Sequence, residues 1–477
     1  MNRSESFLNN IDWVLVSLYL ILCIIGVAFI YSTGYNTSDT IRLFDFGTVH
    51  GQQILWLIVS LVVAFVVVII DFKFYSNFAY IIYGAIMLLL ASVLFLGVEI
   101  NGSKSWFALG GFRFQPAELA KFATCLALAK VLSDINIDLR TLNGKLKAGT
   151  ILAIPMALIL LQGDVGSAIV FSSLIFVLHR EGLESAFLVI GFGLILFSIL
   201  ALLYPPFLLL YFYAGILCVF IFYNRLHKYP IIAPTLSVFA LISVFILYNK
   251  YLLPLNSFTN SYAPLFILSL VVLIVGFVLH YKKKKWITPF MAILFVVGVY
   301  TFSVSFIFNN VLKQHHRDRI NLILGKIEDQ SGAGYNLYQS KVAIGSGGLT
   351  GKGYLQGTQT MLNYVPEQST DFIFTSIAEQ FGFIGSFVLI LLFTLFLLRI
   401  IQVSERQRSA IARIYGYGVA SILFIHFFVN IGMTIGIVPV IGIPLPFISK
   451  GGSSLLSFTI LLFVLIKFDT ERLSFVR

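Results

Sequence analysis

The strongest constraint on this chain is its repeated supply of unbroken apolar runs long enough to cross a bilayer. They lie near 11–31, 53–71, 78–97, 116–133, 148–161, 166–179, 186–203, 206–223, 230–249, 262–280, 286–308, 373–399, 410–437 and 450–467. A spanning helix needs about 20 predominantly apolar residues, so the pattern predicts about fourteen helices, with the short fifth and sixth bending or sharing a break. The runs are continuous rather than alternating, which excludes a transmembrane β-barrel. The chain is therefore read as an all-α polytopic membrane protein whose constant partner is the lipid bilayer. A composition 58% hydrophobic and 11% charged, with a mean hydropathy of +0.94, agrees.

A net charge of +11 would suggest a nucleic-acid partner in a soluble protein. Here no nucleic acid is expected, because the basic residues gather in short loops between apolar runs. With Met1 in the cytoplasm, the inner loops hold Lys73, Arg140, Lys145, Lys147, Arg180, Arg225, Lys228, Lys282 to Lys285, Arg406 and Arg408. The short outer loops hold only Arg42, Lys104, Arg113 and Lys250. That asymmetry puts both termini in the cytoplasm and the large loop 309–372 outside. Long loops cross largely regardless of charge, so the loop's own basic residues do not oppose this. The three cysteines, Cys23, Cys125 and Cys218, lie within apolar runs and imply no disulfide framework. The first run spans and carries no small-residue cleavage site, so it is read as a retained helix. There is no soluble domain or internal repeat.

The longest polar passage, Lys341 to Phe374, is where chemistry concentrates. Six glycines fall between Gly345 and Gly357, which lets the backbone turn tightly and approach a ligand. Pro366 then precedes Glu367-Gln368-Ser369-Thr370-Asp371, and a long apolar helix follows. Asp371 stands where water meets lipid, and a half-desolvated carboxylate is a usable proton acceptor. The bland alternative is a helix N-cap.

A second passage runs from Asn101 through Trp106, Arg113 and Gln115 to Pro116-Ala-Glu118-Leu-Ala-Lys121. Pro116 suits the first turn of a helix, which sets Glu118 and Lys121 three apart on one face, able to pair. Each charge in the apolar zone costs about 2.5–3.5 kcal/mol on insertion scales, so a pair facing an interior cavity is favoured over two lipid-facing charges. A mere staple between helices, and an interfacial anchor for Trp106, are the bland alternatives. Asp164, in Gln162-Gly-Asp-Val-Gly-Ser167, has three candidate roles: capping the next helix, orienting Lys121 or holding a cation. Lastly, Gly442 to Ser454 breaks the chain with Pro and Gly before the final helix. Ser449, Gly451 and Gly452 sit at a helix start suited to an anion. These outer elements fit a substrate with a phosphate head and a lipid tail.

Other motifs fail. Ser346 to Gly353 lacks the first Gly and final Ser/Thr of a P-loop, and His315-His316 has no zinc-ligand spacing. No G-x-S-x-G elbow, H-E-x-x-H helix or Cys-pair metal site is present.

Five segments together resemble one family. They are SWFALGGFRFQPAELAKF, GDVGSA, YNLYQSKVAIGSGGLTGKGYLQGTQ, VPEQSTDFIF followed by AEQFG, and GIPLPFISKGGSS. The family is the SEDS proteins (shape, elongation, division and sporulation), with RodA and FtsW among its members. The GTQ before the acidic motif looks more like RodA. The resemblance implies a peptidoglycan glycosyltransferase that polymerises lipid II at the outer face of the bacterial cytoplasmic membrane. It also implies a class B penicillin-binding protein and other elongation-machinery proteins as partners. The family's catalytic aspartate falls on Asp371. Its important residues around the second loop fall on Trp106, Arg113, Gln115, Glu118 and Lys121, and its membrane-edge Asp falls on Asp164. Three positions depart: Ser369 stands where a His is usual, Lys450 where an aromatic is usual, and Gly163 where Pro is usual. The family usually has ten helices, and about four more are inserted here. The expected domains are thus a membrane core at 1–185, inserted helices at 186–285, and a second core part at 286–477 carrying the catalytic loop 309–372.

The expected mechanism is inverting glycosyl transfer from a polyprenyl-diphosphate donor with Asp371 as general base. Lys121, Arg113 and Lys352 are candidates to stabilise the leaving diphosphate, and Glu367, Gln368 and Ser449 to bind substrate. No cofactor is expected. A divalent cation near the carboxylates is an open option without a closed ligand set. A flippase for the lipid-linked precursor is the alternative from another class, since intramembrane charges and broken helices suit transport too. Against it, the polar residues crowd the outer end. A pure scaffold would leave the clustered charges without a cause.

Overall fold

The computed structural model describes residues 10–35, 47–100, 102–109, 112–204, 288–312, 314–324, 326 and 334–472. The expected spans at 206–223, 230–249 and 262–280, with Cys218 and Lys282 to Lys285, lie outside the described residues. Contacts divide the chain into two compact units, Met1–Ser185 with Asp329–Arg477, and Ala186–Glu328.

In the first unit the apolar runs become helices α1 (Trp13–Thr33), α2 (Val49–Ile69) and α3 (Phe72–Leu96). A three-stranded sheet follows: β1 (Val98–Ile100), β2 (Ser103–Leu109) and β3 (Phe112–Phe114). Then come α4 (Pro116–Leu132), α5 (Leu142–Leu161), α6 (Val165–Ser172) and α7 (Ile175–Arg180). Many starts are fixed by short polar side chains. Asp12, Thr48, Asp71, Thr141 and Asp164 each accept a hydrogen bond from a first-turn N–H. The fifth span is not short: Thr141 starts α5 ahead of its apolar run, and Pro155 sits inside it without ending it. The sixth is the broken one, interrupted at Ser173–Leu174.

The second unit holds α8 (Ser185–Leu203), α9 (Thr288–Phe306) with a π-turn at Ile307–Val311, and α10 (Gln314–Ile323). Its own small core sets Ala201 and Phe197 against Val297 and Val304. The Ser198 and Tyr300 hydroxyls meet at 2.7 Å.

The first unit resumes with α11 (Tyr335–Ser346), α12 (Thr358–Met361), α13 (Ile373–Glu405), α14 (Ala410–Ile435) and α15 (Gly452–Thr470). Among the described residues eight helices are long and apolar enough to cross a membrane, and two shorter apolar ones span Val165–Arg180 and Phe295–Val311. The innermost are α14 and α15. The latter packs on α2, α4 and α14, while α13 packs on α1, α11 and α14. Tyr19, Phe396, Phe447 and Phe458 interlock edge to face at the centre.

The sheet in 98–114 and helix α11 in the large loop were not expected from the sequence. The sheet is antiparallel, with Glu99 opposite Lys104 and Ala108 opposite Arg113. It is tied down where the Lys104 N–H donates to the Gln162 carbonyl at 2.9 Å. Helix α11 is held by the buried Ser340 hydroxyl, which meets Thr375 Oγ1 at 2.7 Å and the Thr434 carbonyl at 3.0 Å.

Candidate active site

Asp371 lies in the turn that leads into α13, with the N-cap position on Phe372. Three consecutive carbonyls there are each held by a different group. The Lys450 N–H donates to Ser369 O at 2.8 Å. The buried Ser449 hydroxyl donates to Thr370 O at 2.6 Å, and its oxygen accepts from the Leu445 N–H at 2.8 Å. The buried Asn430 amide donates to Asp371 O at 2.9 Å and to Ile443 O at 2.8 Å. Asp371 itself is half-buried, and its carboxylate lies against Gly442, where an added Cβ would stand 3.2 Å from Oδ2. The broken 442–451 segment thus acts as a frame for Asp371, which fixes its backbone and leaves room for its carboxylate.

Lys121 and Glu118 are enclosed rather than lipid-facing, at 2% and 4% exposure, and pair at 2.7 Å. Lys121 Nζ also lies 2.9 Å from His426 Nε2 and 4.9 Å from the centre of the Phe458 ring. The other His426 nitrogen, Nδ1, is 3.1 Å from the Pro444 carbonyl. His426 and Asn430 are four apart on α14, so one helix face reads the adjacent carbonyls of Ile443 and Pro444. The ion pair is thereby connected through the frame to Asp371.

Gln115 donates to Asp164 Oδ2 at 2.7 Å. Of the three roles weighed for Asp164, capping is what the geometry shows: it accepts from the Ser167 N–H at 2.9 Å and the Ser167 hydroxyl at 2.8 Å. Trp106 sits half-buried on β2 opposite Val98. Arg113 on β3 is exposed and makes no ion pair among the described residues.

The glycine-rich stretch approaches its own chain rather than leaving a cradle. Helix α13 breaks at Gly382, at φ 63° and ψ −156°. The loop supplies the hydrogen bonds that the break removes. Lys352 and Gly353 N–H groups donate to Glu379 and Gln380 carbonyls at 3.1 and 2.9 Å. Phe383 and Ile384 N–H groups donate back to Gly348 and Leu349 carbonyls at 2.9 and 3.1 Å. Irregular backbone in a spanning helix is tolerated when protein groups satisfy it in this way. A Cβ at Gly351, which sits at φ 81°, would run into the Gln380 carbonyl.

Lys352 is engaged in the same structure. Its ammonium pairs with the fully buried Glu379 at 2.8 Å and meets Thr358 Oγ1 at 2.7 Å. Glu379 also accepts from the Gln359 and Thr360 N–H groups at 2.9 Å each. Gln368 is buried, donating to Thr360 O at 3.0 Å and Asn363 Oδ1 at 2.6 Å, whereas Glu367 is exposed at φ 55°. The Gly451 N–H donates to Gln53 Oε1 at 3.2 Å, and Gly452 lies flat against the Trp56 indole. The start of α15 therefore already meets a side-chain acceptor. The cation option finds no cluster of three or more His, Cys, Asp or Glu side chains among the described residues.

Sequence reasoning missed His426, Asn430 and Glu379. A signal was present for each: a polar side chain inside a spanning run, with the first two at helical spacing.

The model of the FtsW, RodA and SpoVE cell cycle proteins matches residues 12–214 and 269–473. The peptidoglycan glycosyltransferase RodA of Treponema pallidum (strain Nichols) is 31% identical over 449 residues, 94% of each chain. The peptidoglycan glycosyltransferase MrdB of Escherichia coli K12 is 40% identical over 189 residues, 39% of this chain and 50% of that one. A chain of a solved peptidoglycan synthase complex aligns with TM-score 0.59 at 24% identity, covering 97% of this chain and 98% of that one. The rod-shape-determining protein RodA of Thermus thermophilus aligns with TM-score 0.55 at 23% identity, covering 97% of each. Those two likenesses establish the fold. With a family match over most of its length and a full-length relative at this identity, the chain belongs to the FtsW, RodA and SpoVE family of cell cycle proteins and is a multi-pass membrane peptidoglycan glycosyltransferase.

Proposed function

We infer that this chain polymerises lipid II into glycan strands at the outer face of the cytoplasmic membrane during cell elongation, with Asp371 as general base. The acceptor sugar's 4-hydroxyl oxygen attacks the donor's anomeric carbon from the face opposite the diphosphate. Its proton passes to the Asp371 carboxylate, the bond from carbon to phosphate oxygen breaks, and the lipid diphosphate leaves with inversion. A positioned base contributes about 10²–10⁴-fold to such a step. The observation that carries this reading is the frame around Asp371: three successive carbonyls tied by Lys450, Ser449 and Asn430 beside a half-buried carboxylate.

Leaving-group charge needs cationic stabilisation. Lys352 is engaged by Glu379, and Lys121 by Glu118 and His426. Arg113, exposed and outside any ion pair among the described residues, is the candidate cation left uncommitted for the diphosphate. Trp106 on the same sheet supplies an amphipathic surface for the substrate. A class B penicillin-binding protein would cross-link the strands, and a solved chain of like fold comes from a peptidoglycan synthase complex.

The test uses the purified full-length chain with its cognate penicillin-binding protein, in liposomes carrying fluorescent lipid II. Glycan chains on the outer side support the reading. Lipid II that crosses the bilayer without being joined would point to a flippase instead. Topology is checked separately: a tag near Asn336 should report the outside, and a tag in Lys282 to Lys285 the cytoplasm. Cytoplasmic labelling at Asn336 would contradict the mechanism.

A further inference from the structure

We propose that His426, held as the neutral Nδ1–H tautomer, is a positioning residue that couples the Lys121 ammonium to the segment framing Asp371. This rests on the reading of Asp371 and its surroundings as the active site. Two neighbours settle the tautomer independently. The Pro444 carbonyl can only accept, so Nδ1, 3.1 Å away, carries the hydrogen. The Lys121 ammonium can only donate, so Nε2, 2.9 Å away, presents its lone pair.

The three Lys121 N–H groups then have three receivers: Glu118 Oε1 at 2.7 Å, His426 Nε2, and the face of Phe458 at 4.9 Å. The imidazole is itself located by an edge-to-face contact with Phe458, with ring centres 4.8 Å apart. Its ring is 1% exposed, so neither bond competes with bulk water. One turn further along α14, Asn430 takes the neighbouring carbonyl, Ile443 O, together with Asp371 O. His426 and Asn430 are therefore two rungs of one ladder. Asn430 fixes the base, and His426 fixes the buried ammonium relative to the same backbone.

Removing the imidazole should leave substrate binding largely intact and slow the chemical step, because the damage is to alignment. The variants are His426→Phe, which fills the ring volume without polar atoms, His426→Gln, whose amide oxygen can replace Nε2 as acceptor for Lys121 while its NH2 turns back toward the Pro444 carbonyl, and His426→Asn, whose shorter amide reaches only the Nδ1 position. With lipid II and the cognate partner, His426→Phe should lose about 100-fold in kcat, with KM moving by no more than about threefold, as displacement of a positioned group implies. His426→Gln should retain activity within about tenfold of the parent, and His426→Asn should be as poor as the Phe variant.

Near-parental kcat in a folded His426→Phe would overturn the proposal. So would equal losses in the Gln and Asn variants that track melting temperature, as a purely structural histidine would give. If His426→Phe does not fold, the contrast between Gln and Asn decides alone. Asp371→Asn, assayed alongside, separates the two levels. Retained polymerisation by Asp371→Asn removes the general-base reading itself, whereas an inactive Asp371→Asn beside a fully active His426→Phe removes only this inference.

Discussion

The two ends of the first unit carry similar groups arranged to opposite effect. At the end where α1 begins and α13 and α15 finish, Asp12 and Asp469 are almost fully buried, at 1% and 0% side-chain exposure. Arg399 and Arg406 bind Asp12 at 2.8 and 2.7 Å, and Arg406 also grips Asp469. Arg472 and Gln407 reach Asp469 at 2.8 and 2.9 Å. Both carboxylates are taken up by guanidinium or amide groups, and the result clamps three helix ends. At the opposite end, Asp371 is half-buried, and what is held around it is backbone. At one end arginines saturate the carboxylates, whereas at the other the groups held in place are the main-chain carbonyls from Ser369 to Asp371.

The largest expected effect separates a buried cation from a surface one. Lys121→Ala should destabilise by about 3–5 kcal/mol, because it strands the Glu118 carboxylate in an enclosed site. It should also abolish polymerisation by whatever protein still inserts, while Lys121→Arg should do less harm on both counts. Thermal unfolding in detergent and glycan synthesis check this. Full activity in a stably inserted Lys121→Ala would reduce the pair to a staple like the one at the other end.

Breaking the clamp should do the reverse. Asp12→Asn loses charge-assisted bonds worth about 1.5–3 kcal/mol each, lowering the melting temperature while activity per folded molecule holds. Burial pushes the Asp12 carboxyl up. Its bond from Arg399, the Leu15 N–H and the charges of Arg406 and Arg399 outweigh that and leave it below its ordinary value. A depressed folded pKa means stability that is fully present above the unfolded value, about 3.9, and lost as pH falls through the folded one. The gap in melting temperature between parent and Asp12→Asn should therefore be constant above about pH 4 and shrink below it.

The smallest effect concerns the stitched helix break. Gly348→Ala must hold a left-handed backbone at φ 57°, costing about 1–2 kcal/mol, while its Cβ meets open space. A melting-temperature drop with loss of activity would show that the break supports the site, and an unaltered protein would show that it does not.

The spanning helices were legible because continuous apolar runs admit one solution in lipid, with the backbone satisfied internally. Asp371, Glu118 and Lys121 were legible because charge beside lipid is costly and so stands out. What escaped notice depends on contacts distant in sequence. His426 and Asn430 read as stray polar residues in an apolar run until Pro444 and Ile443 fold against them. The glycines read as a ligand cradle because nothing local reveals that α13 breaks at Gly382 and needs donors and acceptors from Gly348 to Gly353. The sheet at 98–114 was obscured by its short strands, and its anchor at Gln162 lies far along the chain.

The contrast between the two ends reduces to one parallel measurement: the same Asp→Asn change at Asp371 and at Asp12, with glycan synthesis and melting temperature recorded for each. An amide keeps the size and hydrogen-bonding oxygen of the carboxylate but cannot serve as general base. Asp371→Asn should lose about 10²–10⁴-fold in polymerisation with an essentially unchanged melting temperature. Asp12→Asn should lose melting temperature and keep its rate per folded molecule. Near-normal chain synthesis by Asp371→Asn, with partner and lipid II supplied, would contradict the account, because the reaction would then not depend on a proton reaching that carboxylate.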